Sequence, residues 1–287
     1  MNTEIVSDDV ASQRFQMLEN LAKDLAGEVI FPTCFDLIIN LRNLLKDPDV
    51  PMERVTAAVR ADPLISSKLI ALANSAAHAD KPVVKEVHGA VERLGLNTVR
   101  STTLAVSMQQ MMQLSSIAEF AELANQLWRH SLSSASACYI VAQRMTPRIN
   151  PDEAYFAGLI HDIGAFYMLY HATKYPELVA RRESLKHLVI RWHESIGLTL
   201  LEALQVPSDV IEATREHDLL RPAPSVPKDL RDIVYIGNFL AGSHFEWLYQ
   251  DVERATIERH ALGPQYTSLI EEIHAHSLDM EKVLVCN

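Results

Sequence analysis

Across most of the span from Leu37 to Ala241, apolar residues return every three or four positions, a spacing that admits little besides α-helix. Leu37, Ile38, Leu41, Leu44 and Leu45 form one such stripe, closed at Asp47-Pro48 because the residue before a proline avoids helical backbone. A second helix is predicted from Pro51, burying Val55, Ala58 and Val59. Asp62-Pro63 supplies a side-chain cap followed by proline at the first helical position, opening a third with the stripe Ile65, Leu69, Leu72, Ala73 and Ala76. Val87, Ala90, Val91 and Leu94 make another, ended by Gly95 where a left-handed residue is wanted. Asn97 can cap the next, through Leu104, Met108, Met111 and Met112, with methionine as core filler. Only nine glycines in 287 residues disfavour a turn-rich sandwich or barrel. The expected fold class is all-α.

In the second half the buried stripes carry polar residues. One helix is predicted from about Ile117 through Trp128, His130 and Cys138 to Met145. Asn150-Pro151 with Glu153 has the form of a cap, a first-turn proline and a reciprocal acid, and opens the helix expected to carry His161. Another covers His193, Ile196, Leu200, Ala203 and Leu204, and Pro207-Ser208 opens one with Val210, Thr214 and His217. After the proline-rich RPAPSVPKD loop, a last stripe holds Leu230, Val234, Asn238 and Ala241. Four histidines on four helices, among mostly apolar neighbours and with Asp162 beside His161, can converge on one polar pocket. Taken singly, each is explained by a hydrogen-bonded core histidine.

A formal charge of −11 argues against nucleic acid as a partner, since phosphate binding relies on clustered Lys and Arg. Arg181, Arg182, Lys186 and Arg191 are a local basic patch of the kind usually found on a solvated helix face. Cys34, Cys138 and Cys286 are far apart with no CxxC spacing, so neither a disulfide framework nor a thiolate zinc site is indicated. The opening MNTEIVSDDVASQ lacks the features of a signal peptide. AYFAGLI and IGAFYMLY fall short of the roughly 18 apolar residues of a membrane helix. A reducing cytoplasm and no membrane are expected. No Gly-rich phosphate loop, Ser-His-Asp order or cysteine-nucleophile setting is present.

ADPLISSKLIALANSA (61–76), VHGAVERLGLNTVR (87–100), LWRHS (127–131), GLIHDIG (158–164), HESIG (193–197), QVPSDVIEATREH (205–217) and IVYIGNFLAG (233–242) follow one another in an order that resembles the HDOD domain. That family of bacterial signalling domains is related to the HD superfamily of metal-dependent phosphohydrolases. The resemblance implies two packed helical lobes, 28–115 and an HD-phosphohydrolase-like 116–245, between an N-terminal lead-in (1–27) and a C-terminal helical extension (246–287). Within the first lobe, Asn74 is expected to hydrogen-bond across the apolar packing.

HD hydrolases hold one or two divalent metals on histidines and carboxylates. Such ions polarise a phosphoryl oxygen and make bound water a nucleophile. Carried onto this sequence, the ligand positions fall on His130, His161, Asp162, His193, His217 and Asn238, for Fe, Mn, Zn, Ni or Mg. The family's distal Asp is here Asn238, which removes a negative charge and lowers the expected affinity. The Lys that follows the motif in many active relatives is replaced by Ala165-Phe166, and the Gly-Tyr-Pro element of the cyclic-dinucleotide branch has no counterpart of weight, since Tyr175-Pro176 is preceded by Lys174. Two readings follow: a stand-alone, non-catalytic signalling module with a degenerate HD site that binds protein partners, or a metal-dependent phosphohydrolase acting on a nucleotide or other phosphoester.

Overall fold

The computed structural model describes residues 8–26, 35–45, 47, 49–75, 78, 80–112, 114–219, 221–242 and 262–285, and every regular element among them is helical. Residues 8–26 of the lead-in are helical. Helix α1 (Asp8–Ala26) buries Val10, Met17 and Leu21 on one stripe. Four helices follow: α2 (Asp36–Leu44), α3 (Met52–Arg60), α4 (Pro63–Ala73) and α5 (Val87–Met112). The Asp62 carboxylate accepts from the Ile65 amide at 3.0 Å and starts α4 as a cap should. Asn74 ends it, donating to the Val84 carbonyl and accepting from the Val84 amide, both at 2.8 Å. Gly95, at φ 74 and ψ 164, interrupts α5 with a backbone that L side chains rarely adopt. Cys34, Cys286, Ala76, Pro48 and all of 246–261 lie outside the described residues.

A short tight helical turn, Ser115–Phe120, leads into α6 (Ala121–Met145), the central helix of the second half. Around it come α7 (Pro151–Ile160), α8 (Ile163–Ala172), α9 (Pro176–Ala180), α10 (Arg182–Ala203), α11 (Ser208–Ala213), α12 (Leu230–Leu240), α13 (Pro264–Thr267) and α14 (Ile270–Val285). Helices α7, α12 and α14 pack on α6, and α8 packs on α10. The α6 Cys138 thiol lies 3.6 Å from the Ile233 carbonyl of α12. Asn150 caps α7 by accepting from Asp152, but Glu153 makes no bond back to it and instead lines a small cavity with Arg100.

Helices α1 and α14 both pack onto this half. Gln13 of α1 accepts from the Glu177 amide at 2.9 Å and Asn20 donates to the Tyr175 hydroxyl at 2.8 Å. On α14, His276 stacks on Tyr139 of α6, and Glu272 pairs with Arg144. One continuous apolar cluster runs from Met17 to Leu284 through both halves. The basic patch is a solvated face, with Arg181 and Lys186 paired to Glu177 and Glu183. Among the described residues no helix is long and apolar enough to cross a membrane.

Candidate metal centre

His130 and His193 sit where the periodicity puts them, within α6 and α10. His161 and His217 do not sit within helices. Helix α7 stops at Ile160, and Asp162, at φ −103 and ψ 16, breaks the backbone before α8 begins. The expected helix through the His-Asp pair is therefore two helices with the pair at their junction. Adjacent residues on a continuous helix diverge by about 100°; here the break lets His161 Nε2 and Asp162 Oδ2 come to 3.2 Å. His217 lies beyond α11, in a turn entered through Glu216 at φ 55, a left-handed value uncommon for a residue with a side chain.

All four histidines direct Nε2 at Asp162. Its Oδ2 lies 3.5 Å from His130 and 3.2 Å from His161. Its Oδ1 lies 3.4 Å from His193 and 3.3 Å from His217. The carboxylate thus stands between two imidazole pairs, each with an Nε2–Nε2 separation of 3.2 Å. Ring orientation is fixed from behind. Nδ1 of His161 donates to the Gly158 carbonyl at 2.7 Å, that of His193 to Val189 at 2.8 Å, and that of His217 to Thr214 at 2.7 Å. A carbonyl only accepts, so each ring carries its proton on Nδ1 and offers a lone pair at Nε2 when neutral.

One contributor was absent from the sequence expectation. Asp218 Oδ2 lies 3.3 Å from His193 Nε2 and 3.6 Å from His217 Nε2. The signal was present: His217-Asp218 repeats the His-Asp dipeptide of 161–162. Asn238, on α12, donates its amide to Asp218 Oδ1 at 3.0 Å and to the His217 carbonyl at 3.2 Å, while its own Oδ1 is buried without a hydrogen-bond partner. Ala165 and Phe166 are fully buried core residues. Trp128 is likewise core.

Charge follows this geometry. Burial opposes ionisation of Asp162, but His161, His217 and His193 outweigh it and hold the carboxyl well below its ordinary range. Burial also disfavours the His217 cation, yet Asp218 and Asp162 raise the ring to about 10. His193 is raised by the same two acids against the same burial. His130 is pushed down to about 4, chiefly by burial. In the His193/His217 pair both rings carry their proton on Nδ1, so two Nε2 lone pairs facing each other at 3.2 Å require positive charge, either a proton on one ring or a cation between them. The donors fit a cation: tetrahedral ligands at the usual Zn–N and Zn–O lengths stand about 3.3–3.4 Å apart. Two overlapping triads meet that condition, His130/His161/Asp162 and Asp162/His193/His217, all buried.

The HDOD domain profile matches residues 31–220, about two thirds of the chain and short of Asn238. An "Uncharacterized protein" of Treponema pallidum is 23% identical over 236 residues, 77% of this chain and 44% of that one. The chain therefore spans less than half the length of that curated relative. A crystal structure from Shewanella amazonensis described as a "Putative metal-dependent phosphohydrolase" is similar at TM-score 0.65 and 25% identity, covering 93% of this chain and 99% of that one. An HDOD domain protein of Geobacter sulfurreducens aligns at TM-score 0.58 and 18% identity, over 96% and 99% of the two chains. A "Putative signal transduction protein" of Marinobacter aquaeolei aligns at 0.55 and 20%, over 99% of this chain and 68% of that one.

Proposed function

Because the chain belongs to the HDOD domain family, we propose that it is a non-catalytic signal-transduction module, binding protein partners, whose HD-type centre holds a divalent cation in a structural or regulatory role. The observation that carries this reading is closure. The side chains of His161 and His217 are fully buried, and those of His130, Asp162 and His193 are at most 5% exposed. Hydrolysis needs a coordination position open to water and substrate. Ala165, directly after the motif where many active relatives have a Lys that can meet phosphate, is core.

Imidazole-rich donors favour borderline transition metals over Mg. His130, His161 and Asp162 would form one side, and Asp162, His193 and His217 the other. The backbone bonds behind His161, His193 and His217 would keep those rings in place with or without the ion.

A second reading, metal-dependent phosphohydrolysis, is favoured by the way Asp162 divides its oxygens between two histidine pairs. A bound metal would supply Lewis acidity and an activated water. Elemental analysis of the purified protein, paired with a phosphoester panel in added Mn, Fe, Zn, Ni or Mg, separates the two. The proposal expects bound cation and no turnover above buffer. Metal-dependent hydrolysis abolished by His161→Ala would establish the second reading. Failure to bind any of the five would remove the cation from both.

A further inference from the structure

The negative charge missing at position 238 is present elsewhere in the centre. We propose that Asp218 is a metal ligand on the His193/His217 side and that Asn238 is the residue that positions it; this rests on the metal-centre reading above. Four atoms define that side: Nε2 of His193 and His217, Oδ1 of Asp162 and Oδ2 of Asp218. Five of the six distances among them are 3.2, 3.3, 3.3, 3.4 and 3.6 Å. A tetrahedral cation with ligands at 2.0–2.1 Å requires edges of about 3.3–3.4 Å. Two nitrogens and two carboxylate oxygens would complete four-coordination there. The His130/His161 side has two nitrogens and only the shared oxygen among these groups.

Position 238 fits the assignment. Its amide nitrogen takes up Asp218 Oδ1 at 3.0 Å, which leaves Oδ2 to face the histidines, and the same nitrogen holds the His217 carbonyl. An aspartate at 238 would have no N–H to donate, so neither Asp218 Oδ1 nor the His217 carbonyl would be held from that position. An amide at 238 and an acid at 218 are therefore complementary. Glu216, at φ 55, turns the chain so that consecutive residues 217 and 218 both reach the cluster. The two carboxylates give this side more charge with which to balance a dication than the His130/His161 side has.

The experiment titrates the purified, metal-stripped full chain with Zn2+ by calorimetry and records the visible spectrum of the Co2+ form. Wild type, Asp218→Asn, Asn238→Ala and the exposed-acid control Asp209→Asn are compared, with circular dichroism checking each fold. Expected are loss of one Zn2+ equivalent, or at least a hundredfold weaker binding of it, in Asp218→Asn, together with an altered Co2+ spectrum. Asn238→Ala should weaken the same equivalent by about 10–100-fold, as loss of a group that orients a ligand does. Should Asp218→Asn fold and bind with wild-type stoichiometry, affinity and spectrum, Asp218 is no ligand although the centre stands. No Zn2+ binding by wild type would overturn the metal-centre reading itself. If Asp218→Asn does not fold, Asn238→Ala decides: a wild-type Co2+ spectrum and affinity there would overturn the positioning role and with it the assignment.

Discussion

Gly164→Ala should damage both stability and the centre, although the residue touches no ligand atom. A Cβ on Gly164 would stand 1.9 Å from the His193 carbonyl oxygen, 2.5 Å from the Gly197 amide nitrogen and 2.9 Å from the His193 carbonyl carbon. All three are backbone atoms of α10, so no side chain can rotate away. Comfortable contact needs about 3.5 Å, so α8 and α10 must separate or bend by more than an ångström. Overpacking of this kind costs about 1–3 kcal/mol, sometimes more, against a gain of about 0.5–1 kcal/mol from replacing helical glycine.

A net loss of about 2 kcal/mol is expected, equivalent to roughly 4 °C or more in Tm for a chain of this size. The carbonyl that must yield belongs to His193 itself. Its Nε2 would leave the 3.4 and 3.3 Å separations from Asp162 and Asp218, and ligand sets tolerate only about 0.5 Å. Urea unfolding followed by circular dichroism and Zn2+ calorimetry read the two effects together. Gly89→Ala is the control, since its nearest neighbour would be Val84 Cγ1 at an ordinary 3.4 Å; it should be neutral or stabilising. Wild-type stability and affinity in Gly164→Ala would refute the contact argument.

His171 is buried on α8, its Nε2 without a hydrogen-bond partner and its Nδ1 3.9 Å from Asp24. Burial and Lys174 lower it to about 4 against the opposing pull of Asp24. The unfolded chain takes this proton near pH 6.5, so the group costs nothing above that value, and stability falls as pH drops from 6.5 toward 4, by about 3 kcal/mol in all. His171→Phe should flatten unfolding free energy against pH over that window; an unchanged slope would refute the burial argument. Glu216 holds φ 55 with a solvent-facing ion pair to Arg231. Glu216→Gly should be neutral or stabilising, while Glu216→Val should cost about 1–2 kcal/mol in urea unfolding. Equal stability of the two variants would show that the left-handed turn is unstrained.

The helices were legible where burial has a period. Ile65, Leu69, Leu72 and Ala73 are buried as their spacing demands, and His130 and His193 face inward because they share a stripe with apolar neighbours. Asn74 behaves as its apolar surroundings suggested, tying α4 to Val84. Periodicity carries no information once the helix ends. It ran α7 and α8 together through Asp162, ran α11 on to His217, and gave α1 only as an acidic lead-in with an amphipathic turn because its contacts to Tyr175 and Glu177 are distant in sequence. The reason for Gly164 was equally hidden, since it lies in the backbone of α10 opposite.

The places where periodicity stopped are where the centre is made. His161 lies directly after α7 and His217 in the turn beyond α11, and each ring donates Nδ1 to the carbonyl three residues back, at 2.7 Å in both cases. Nε2 is thereby turned outward, and the next residue, Asp162 or Asp218, adds a carboxylate on the same side. A ring on a helix interior can be aimed only within its rotamers, whereas a helix end frees the following residue to take a second direction. One local device used twice yields two histidine–aspartate pairs, and the mid-helix rings of His130 and His193 meet them. Charge balance at such a centre depends on where its carboxylates stand as much as on the residue at any single position. With Asp218 in contact with both His193 and His217, an amide at 238 is the neighbour that can donate to that acid and hold its other oxygen toward the rings.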